Sequence, residues 1–200
     1  AALLIYQDNY AEAEPIARAA LLLARQLDVP AEIAFSLIQL AVGHWMSGDY
    51  EEATSAYHAS LEIANQSGAQ TMRLEALNGL GKTSWATGQS DQATDYFETG
   101  LALARQMNAP LQIAHSLDLL GVVARDSGNF SRAMQCFEEA INILRPLQAP
   151  TRLAYALNHL GGVYGISGQM DRAISTLNES LTMAREINEQ RLTAYTLSDL

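Results

Sequence analysis

Gly48 recurs as Gly88, Gly128 and Gly168, and the whole chain slides onto itself at that forty-residue step without a gap. Ala13, Ala53, Ala93, Ala133 and Ala173 share a column. Leu37, Leu77, Leu117, Leu157 and Leu197 form another, and Leu40, Leu80, Leu120, Leu160 and Leu200 a third. Tyr57, Phe97, Phe137 and Leu177 form a fourth. A period of this size is the mark of a repeat architecture, in which each unit buries its apolar face only against its neighbours. The chain therefore reads as a partial repeat over 1–30, full repeats over 31–70, 71–110, 111–150 and 151–190, and a partial repeat over 191–200.

Each unit reads as two helices. In 71–110 the first is expected from about Met72 to Ala86, with Leu74, Leu77, Leu80 and Ser84 at helical spacing on one face. Gly88 ends it by taking the left-handed conformation, and Ser90 or Asp91 caps the second helix, as Asp49 and Asn129 do in their units. The second helix is expected to run to about Met107, with Ala93, Phe97, Gly100, Leu101 and Ala104 inward, and Asn108-Ala109-Pro110 closes the unit. Ala41, Gly81, Gly121 and Gly161 are the positions where the two helices cross closely. The aromatic at 97 fills the wedge between one repeat and the next. Pro15 is expected to bend its helix or shift its start, and Pro146 to end its helix.

Composition limits the rest. A single cysteine, Cys136, leaves no internal disulfide framework and fits a reducing, cytoplasmic setting. No apolar run is long enough to span a membrane. A formal charge of −10 argues against gripping a phosphate backbone directly. Neither end carries the polar cap of a solenoid terminus, which points to a piece of a longer protein.

The columns resemble the tetratricopeptide repeat: Leu80-Gly81, Ser84, Gly88, Ala93 and Phe97 in one unit, and Leu160-Gly161, Tyr164, Gly168, Ala173 and Leu177 in another. Units of forty residues, longer than the family's usual thirty-four, are similar to those of maltose-activator-type bacterial transcription regulators, cell-polarity adaptors and kinesin light chains. The resemblance implies an all-α, right-handed superhelical solenoid. Its first helices would line a concave groove that holds a peptide, a partner helix or, in some sensors, a small signal ligand.

Ala76 to Thr83 (ALNGLGKT) has the form of a phosphate-binding loop. Such a loop works only between a strand and a helix N-terminus, where backbone N–H groups are free. Here the string falls inside a helix, with Gly81 in the packing column. His44, His58, His115 and His159 lack metal-ligand spacing. His44 is expected to pack with a hydrogen bond, and Cys136 to pack as a small apolar residue. Glu51-Glu52 and Glu138-Glu139 read as acidic openings of second helices, favoured by the helix dipole. Asn65, Asn129 and Asn178 begin chance N-x-[ST] strings. No catalytic set, cofactor or metal is expected.

The columns that vary are the functional candidates. The resemblance maps the groove onto Phe35, Glu75, His115 and Tyr155; Ile38, Asn78, Asp118 and Asn158; Val42, Lys82, Val122 and Gly162; and Trp45, Trp85, Arg125 and Gly165. Trp45 and Trp85 form a ladder able to clamp an apolar side chain. Asn78 and Asn158 suit a peptide backbone, since an amide both donates and accepts. Lys82 and Arg125 are the only cations placed for a carboxylate. The function expected is a protein or peptide interaction or signal-sensing scaffold within a larger regulatory protein. The alternatives are an adaptor bridging two proteins, or a nucleotide-binding enzyme by way of Ala76–Thr83.

Overall fold

A computed structural model describes the backbone of residues 10–200 and side chains from residue 13. Residues 1–9 of the first partial repeat, Asn9 included, lie outside the described residues. Among the described residues there are ten α-helices and no strand. They are α1 (Tyr10–Gln26), α2 (Pro30–Ser47), α3 (Tyr50–Ser67), α4 (Gln70–Ala86), α5 (Ser90–Gln106), α6 (Pro110–Asp126), α7 (Phe130–Leu144), α8 (Pro150–Ile166), α9 (Met170–Glu186) and α10 (Gln190–Asp199). Contacts divide the chain into a first unit that ends at Leu103 and a second that spans Ala104–Leu200.

The helix ends follow two rules, one legible in the sequence and one hidden. Within a repeat the chain turns on Gly48, Gly88, Gly128 and Gly168, all at positive φ. Between repeats it turns on Asp28, Gly68, Asn108, Gln148 and Asn188, also at positive φ. Asn and Asp tolerate this conformation better than other side chains. The prolines come two residues later: Pro30, Pro110 and Pro150 open α2, α6 and α8, where a missing N–H costs nothing. Pro110 thus begins the next helix instead of closing the unit. Pro15 lies inside α1. Pro146 follows the end of α7 in a short 3-10 turn, Arg145–Leu147, as expected.

Capping corrects the sequence reading in part. Asn129 Oδ1 accepts from the Arg132 N–H at 3.2 Å. Asp49 occupies an N-cap position without making that bond; its carboxylate stands 3.8 Å from His44 Nδ1. Ser90 is the first residue of α5 and Asp91 lies in the first turn, so Asp91 acts through the helix dipole. Glu51 and Glu52 open α3 as expected, but Glu138 and Glu139 sit in the middle of α7.

The small column at 81 has a direct steric cause. A Cβ on Gly81 would overlap the Phe97 ring, one on Gly121 would lie 2.5 Å from Phe137 Cε1, and one on Gly161 2.7 Å from Leu177 Cγ. The aromatic column therefore packs first into the crossing of its own repeat. It reaches the next repeat too: Tyr57 clusters with Ile38, Ala41 and Ala53 of its own repeat and Leu80 of the next, and the Phe137 ring lies 5.4 Å from that of His159. A second small column appears at Ser60, Gly100, Ala140 and Ser180, all buried. Ser60 Oγ donates to the Ala34 carbonyl at 2.9 Å and Ser180 Oγ to the Ala154 carbonyl at 2.8 Å, stitching second helix to first. Leu37 through Leu157 and Leu40 through Leu160 are buried in their columns, whereas Leu197 and Leu200 are about half exposed. Leu37 and Leu40 pack with Ala17 and Leu21 of α1 and with Ala59 and Ile63 of α3.

Candidate functional site

In the first unit the candidate columns lie on α2 and α4. Phe35 is exposed, Val42 half-buried and Trp85 at the edge of exposure. Trp45 packs partly against the Ile38–Tyr57 cluster. Its indole Nε1 is buried with no hydrogen-bond partner in the protein, and so is Asn78 Oδ1 on α4. Asn78 is 7% exposed. Lys82 is half-buried one turn beyond it. Ile38 is 3% exposed and belongs to the core cluster, which removes it from any contact surface. Burial, with the Glu75 carboxylate nearby, pushes the Tyr57 phenol well above its ordinary range.

The loop-like string Ala76–Thr83 lies wholly inside α4. Thr83 Oγ1 donates to the Gly79 carbonyl at 2.9 Å, and Gly81 is filled over by Phe97. In a helix interior the N–H groups already bond to carbonyls four residues back, so no phosphate cradle exists there. Among the described residues no cluster of His, Cys, Asp or Glu is placed to hold a metal ion. Cys136 is buried, and burial raises its thiol.

In the second unit the same columns tie repeats together. Asp118 Oδ1 meets His159 Nδ1 at 2.8 Å. Asn158, 7% exposed, donates from Nδ2 to Thr196 Oγ1 at 3.3 Å and to Asp199 Oδ2 at 3.0 Å. Its amide is engaged within the fold, unlike that of Asn78. Arg125 pairs with its neighbour Asp126 at 2.8 Å. His115 and Tyr155 are half-buried, and burial raises the Tyr155 phenol.

A feature absent from the sequence reading lies on the other side, between second helices. In the second unit α7 and α9 flank a cavity of about 550 Å³ over α8. Tyr164, 3% exposed, rises from its floor and donates to Glu138 Oε1 at 2.7 Å. The Arg172 guanidinium lies 4.0 Å over the Tyr164 ring, hydrogen-bonds its hydroxyl, and pairs with Glu138 at 3.3 Å. Burial and then the Glu138 bond push the Tyr164 phenol up to about 12. Arg145 grips Glu179 with two bonds of 2.8 and 3.2 Å. The first unit holds a cavity of about 300 Å³ in the matching place, between α3 and α5 over α4, lined by His58, Ser84, Gln92 and Tyr96. There Ser84 Oγ donates to Gln92 Oε1 at 3.1 Å, and His58 meets Tyr96 edge-on at 6.4 Å. The clue in the sequence was the variation at columns 84 and 92, outside the first-helix face.

Family models described as tetratricopeptide repeat match residues 32–106, 113–145 and 154–187. The chain belongs to the tetratricopeptide repeat family. Solved structures agree with that fold. A Rap protein complexed with competence and sporulation factor superposes with a TM-score of 0.88 at 16% identity, over 97% of this chain and 54% of that one. The Rap conjugation gene regulator of plasmid pLS20, in complex with the Phr* peptide, gives 0.82 at 19%, over 97% and 54%. A signal transduction ATPase with a tetratricopeptide repeat sensor from Pyrococcus horikoshii gives 0.76 at 15%, over 96% and 32%. This chain spans about half of each Rap chain and a third of the ATPase. Comparison with curated proteins finds no match. No helix among the described residues is long and apolar enough to cross a membrane.

Proposed function

We propose that the first-helix face of this tetratricopeptide chain senses a signal by binding a peptide or protein partner, inside a larger cytoplasmic regulatory protein, without chemistry of its own. The observation that carries the reading is the pair of buried, unbonded polar atoms on the candidate columns, Trp45 Nε1 and Asn78 Oδ1. Buried polar atoms in native proteins nearly always have partners. One of these atoms lacks an acceptor and the other a donor; both are sealed from solvent, so a peptide backbone, which offers both, reaches them once the covering side chains move aside. Exposed Phe35 and Trp85 supply apolar contact beside them. The likeness to a Rap regulator in complex with a peptide and to an ATPase-linked sensor supports the same class of role.

The test compares partners captured by the wild-type chain with those captured by Trp45→Ala/Trp85→Ala and by Asn78→Ala, with circular dichroism and melting measured alongside. Both variants are expected to keep helicity and to lose the same partner. If the tryptophan variant unfolds, those side chains are core; if both variants retain every partner, another face binds.

A further inference from the structure

We propose that the cavity between α7 and α9 is a second binding site, one that takes the arginine side chain of a protein partner. It stands on different residues from the first-helix face and survives or fails independently of it.

The cavity volume of about 550 Å³ lies within the range of small-ligand sites. Its floor is apolar, made by Ile141, Leu157 and Leu160, and suits the methylene stem of a long basic side chain. Its charges are sorted. Arg145 neutralises Glu179, and Arg172 neutralises Glu138. Asp171, an exposed residue in the first turn of α9, also lines the cavity, and among the described residues none makes a hydrogen bond or ion pair to its carboxylate. Ser175 and Thr176, which carry hydroxyls, line the same space. Asp171 is exposed and favoured by the α9 N-terminus, and it leaves the cavity one negative charge in excess of Arg145 and Arg172; a guanidinium balances that charge as a planar cation with several donors.

The wall itself displays that chemistry. Arg172 stacks on Tyr164 and bonds Glu138, so the cavity already recognises one guanidinium, the protein's own, at its rim. A partner arginine enters beside it and pairs with Asp171 without displacing it. The first unit's cavity lacks the Tyr–Arg–Glu set, with Ser84, Gln92 and His58 in those columns, and serves as an internal control.

The experiment is an NMR titration of the full 200-residue chain with acetyl-arginine methylamide, beside the lysine, norleucine and glutamate analogues. Saturable shifts are expected at the amides of Asp171, Ser175 and Thr176 with the arginine compound. Asp171→Asn should raise its Kd about three- to fivefold, the scale of an exposed ion pair. Arg172→Ala should leave binding intact or strengthen it by freeing the Tyr164 face. Equal binding of the lysine or norleucine compound overturns the guanidinium assignment. Shifts spread over acidic residues of both units, or an unchanged Kd in Asp171→Asn, overturn the site.

Discussion

The two units share a skeleton and differ on every surface that could meet a partner. On the second-helix side, the columns that hold His58, Ser84 and Gln92 in the first unit hold Glu138, Tyr164 and Arg172 in the second. In the first-helix columns, Phe35, Trp45 and Trp85 of the first unit correspond to Tyr155, Arg125 and Gly165 of the second. Asn78 leaves an amide oxygen unbonded, while Asn158 is bound to Thr196 and Asp199. Ion pairs follow the same split. Arg105 to Glu139 and Arg145 to Glu179 link successive second helices in the second unit; at those columns the first unit has Asn65 with Thr99 and Arg25 with Ala59. Meanwhile the packing columns at 37, 40, 53 and 57 hardly change. One scaffold thus carries two chemistries, and constancy marks what packs while variation marks what differs in surface.

The largest effect should come from the scaffold itself, and it should appear in both units. Gly81→Leu and Gly121→Leu place a side chain where Phe97 and Phe137 lie, and each should cost at least about 1–3 kcal/mol by overpacking. Gly161 and Gly162 give an internal contrast. Gly161→Leu meets Leu177, whereas a Cβ on Gly162 meets nothing within 4 Å. Gly162→Ala should therefore stabilise by roughly 0.5–1 kcal/mol, because alanine has less backbone entropy to lose in a helix. Urea melts of the four variants decide it. A stabilised Gly121→Leu would mean that the glycine column is not a packing column.

Alkaline titration should separate the units next. The Tyr164 phenol is held at about 12 in the fold, above its ordinary value near 10. A group whose pKa is raised on folding contributes fully below its unfolded pKa and loses that contribution as pH climbs through the folded value. Stability should thus begin to fall near pH 9, where the Cys136 thiol that burial raises would ionise in the unfolded chain, and fall further from about pH 10 towards pH 12 through Tyr164. Tyr164→Phe should remove only the share of that fall due to Tyr164 and leave the shares due to Tyr155 in the same unit and to Tyr57 in the first, both also raised. Melting temperature against pH for both proteins reads this directly; superimposable curves would remove Tyr164 from the account.

Legibility followed the same division. The forty-residue step exposed the helix pairs, the glycine turns and the packing columns, because those requirements recur in every repeat. The between-repeat turn was placed at Asn108-Ala109-Pro110, but its positive-φ requirement was not read, because Asp28, Asn108, Gln148 and Asn188 meet it with different side chains. The proline that follows in three of the repeats drew attention instead. Ile38 lies in the core because its column is buried, as it also is at Asn78 and Asn158, and its apolar side chain packs with Ala41, Tyr57 and Leu80. The second-helix cavity was hidden because Glu138 and Arg172 are 34 residues apart, a distance that means contact only once the helices are stacked. Read alone, Glu138 looked like helix-dipole decoration.

The stitching serines come next in size. Ser60→Ala in the first unit and Ser180→Ala in the second each remove one buried hydrogen bond to a first-helix carbonyl. Each should cost on the order of 1 kcal/mol. The two losses should agree within about a factor of two, since both serines bond the first helix of their own repeat and Ser180 Oγ only adds a 3.5 Å contact to Thr196 Oγ1. Chemical denaturation that shows one loss at several times the other would make the serine a local feature of its unit and break the equivalence of the two.

The smallest effect should be the most specific to one unit. Arg145 and Glu179 are both about half exposed, so their paired bonds are worth only about 0.2–1 kcal/mol. Arg145→Met keeps the stem and removes the charge. Its cost should shrink as salt rises from 0.05 to about 1 M, where the screening length falls to roughly 3 Å. Asn65→Ala, at the same column of the first unit, should show no such salt dependence, because no ion pair stands there. No measurable cost for Arg145→Met at any salt concentration would assign its role to packing of the stem, which methionine keeps. The ionic ladder would then be a by-product of stacking in the second unit and no longer a difference that distinguishes it from the first.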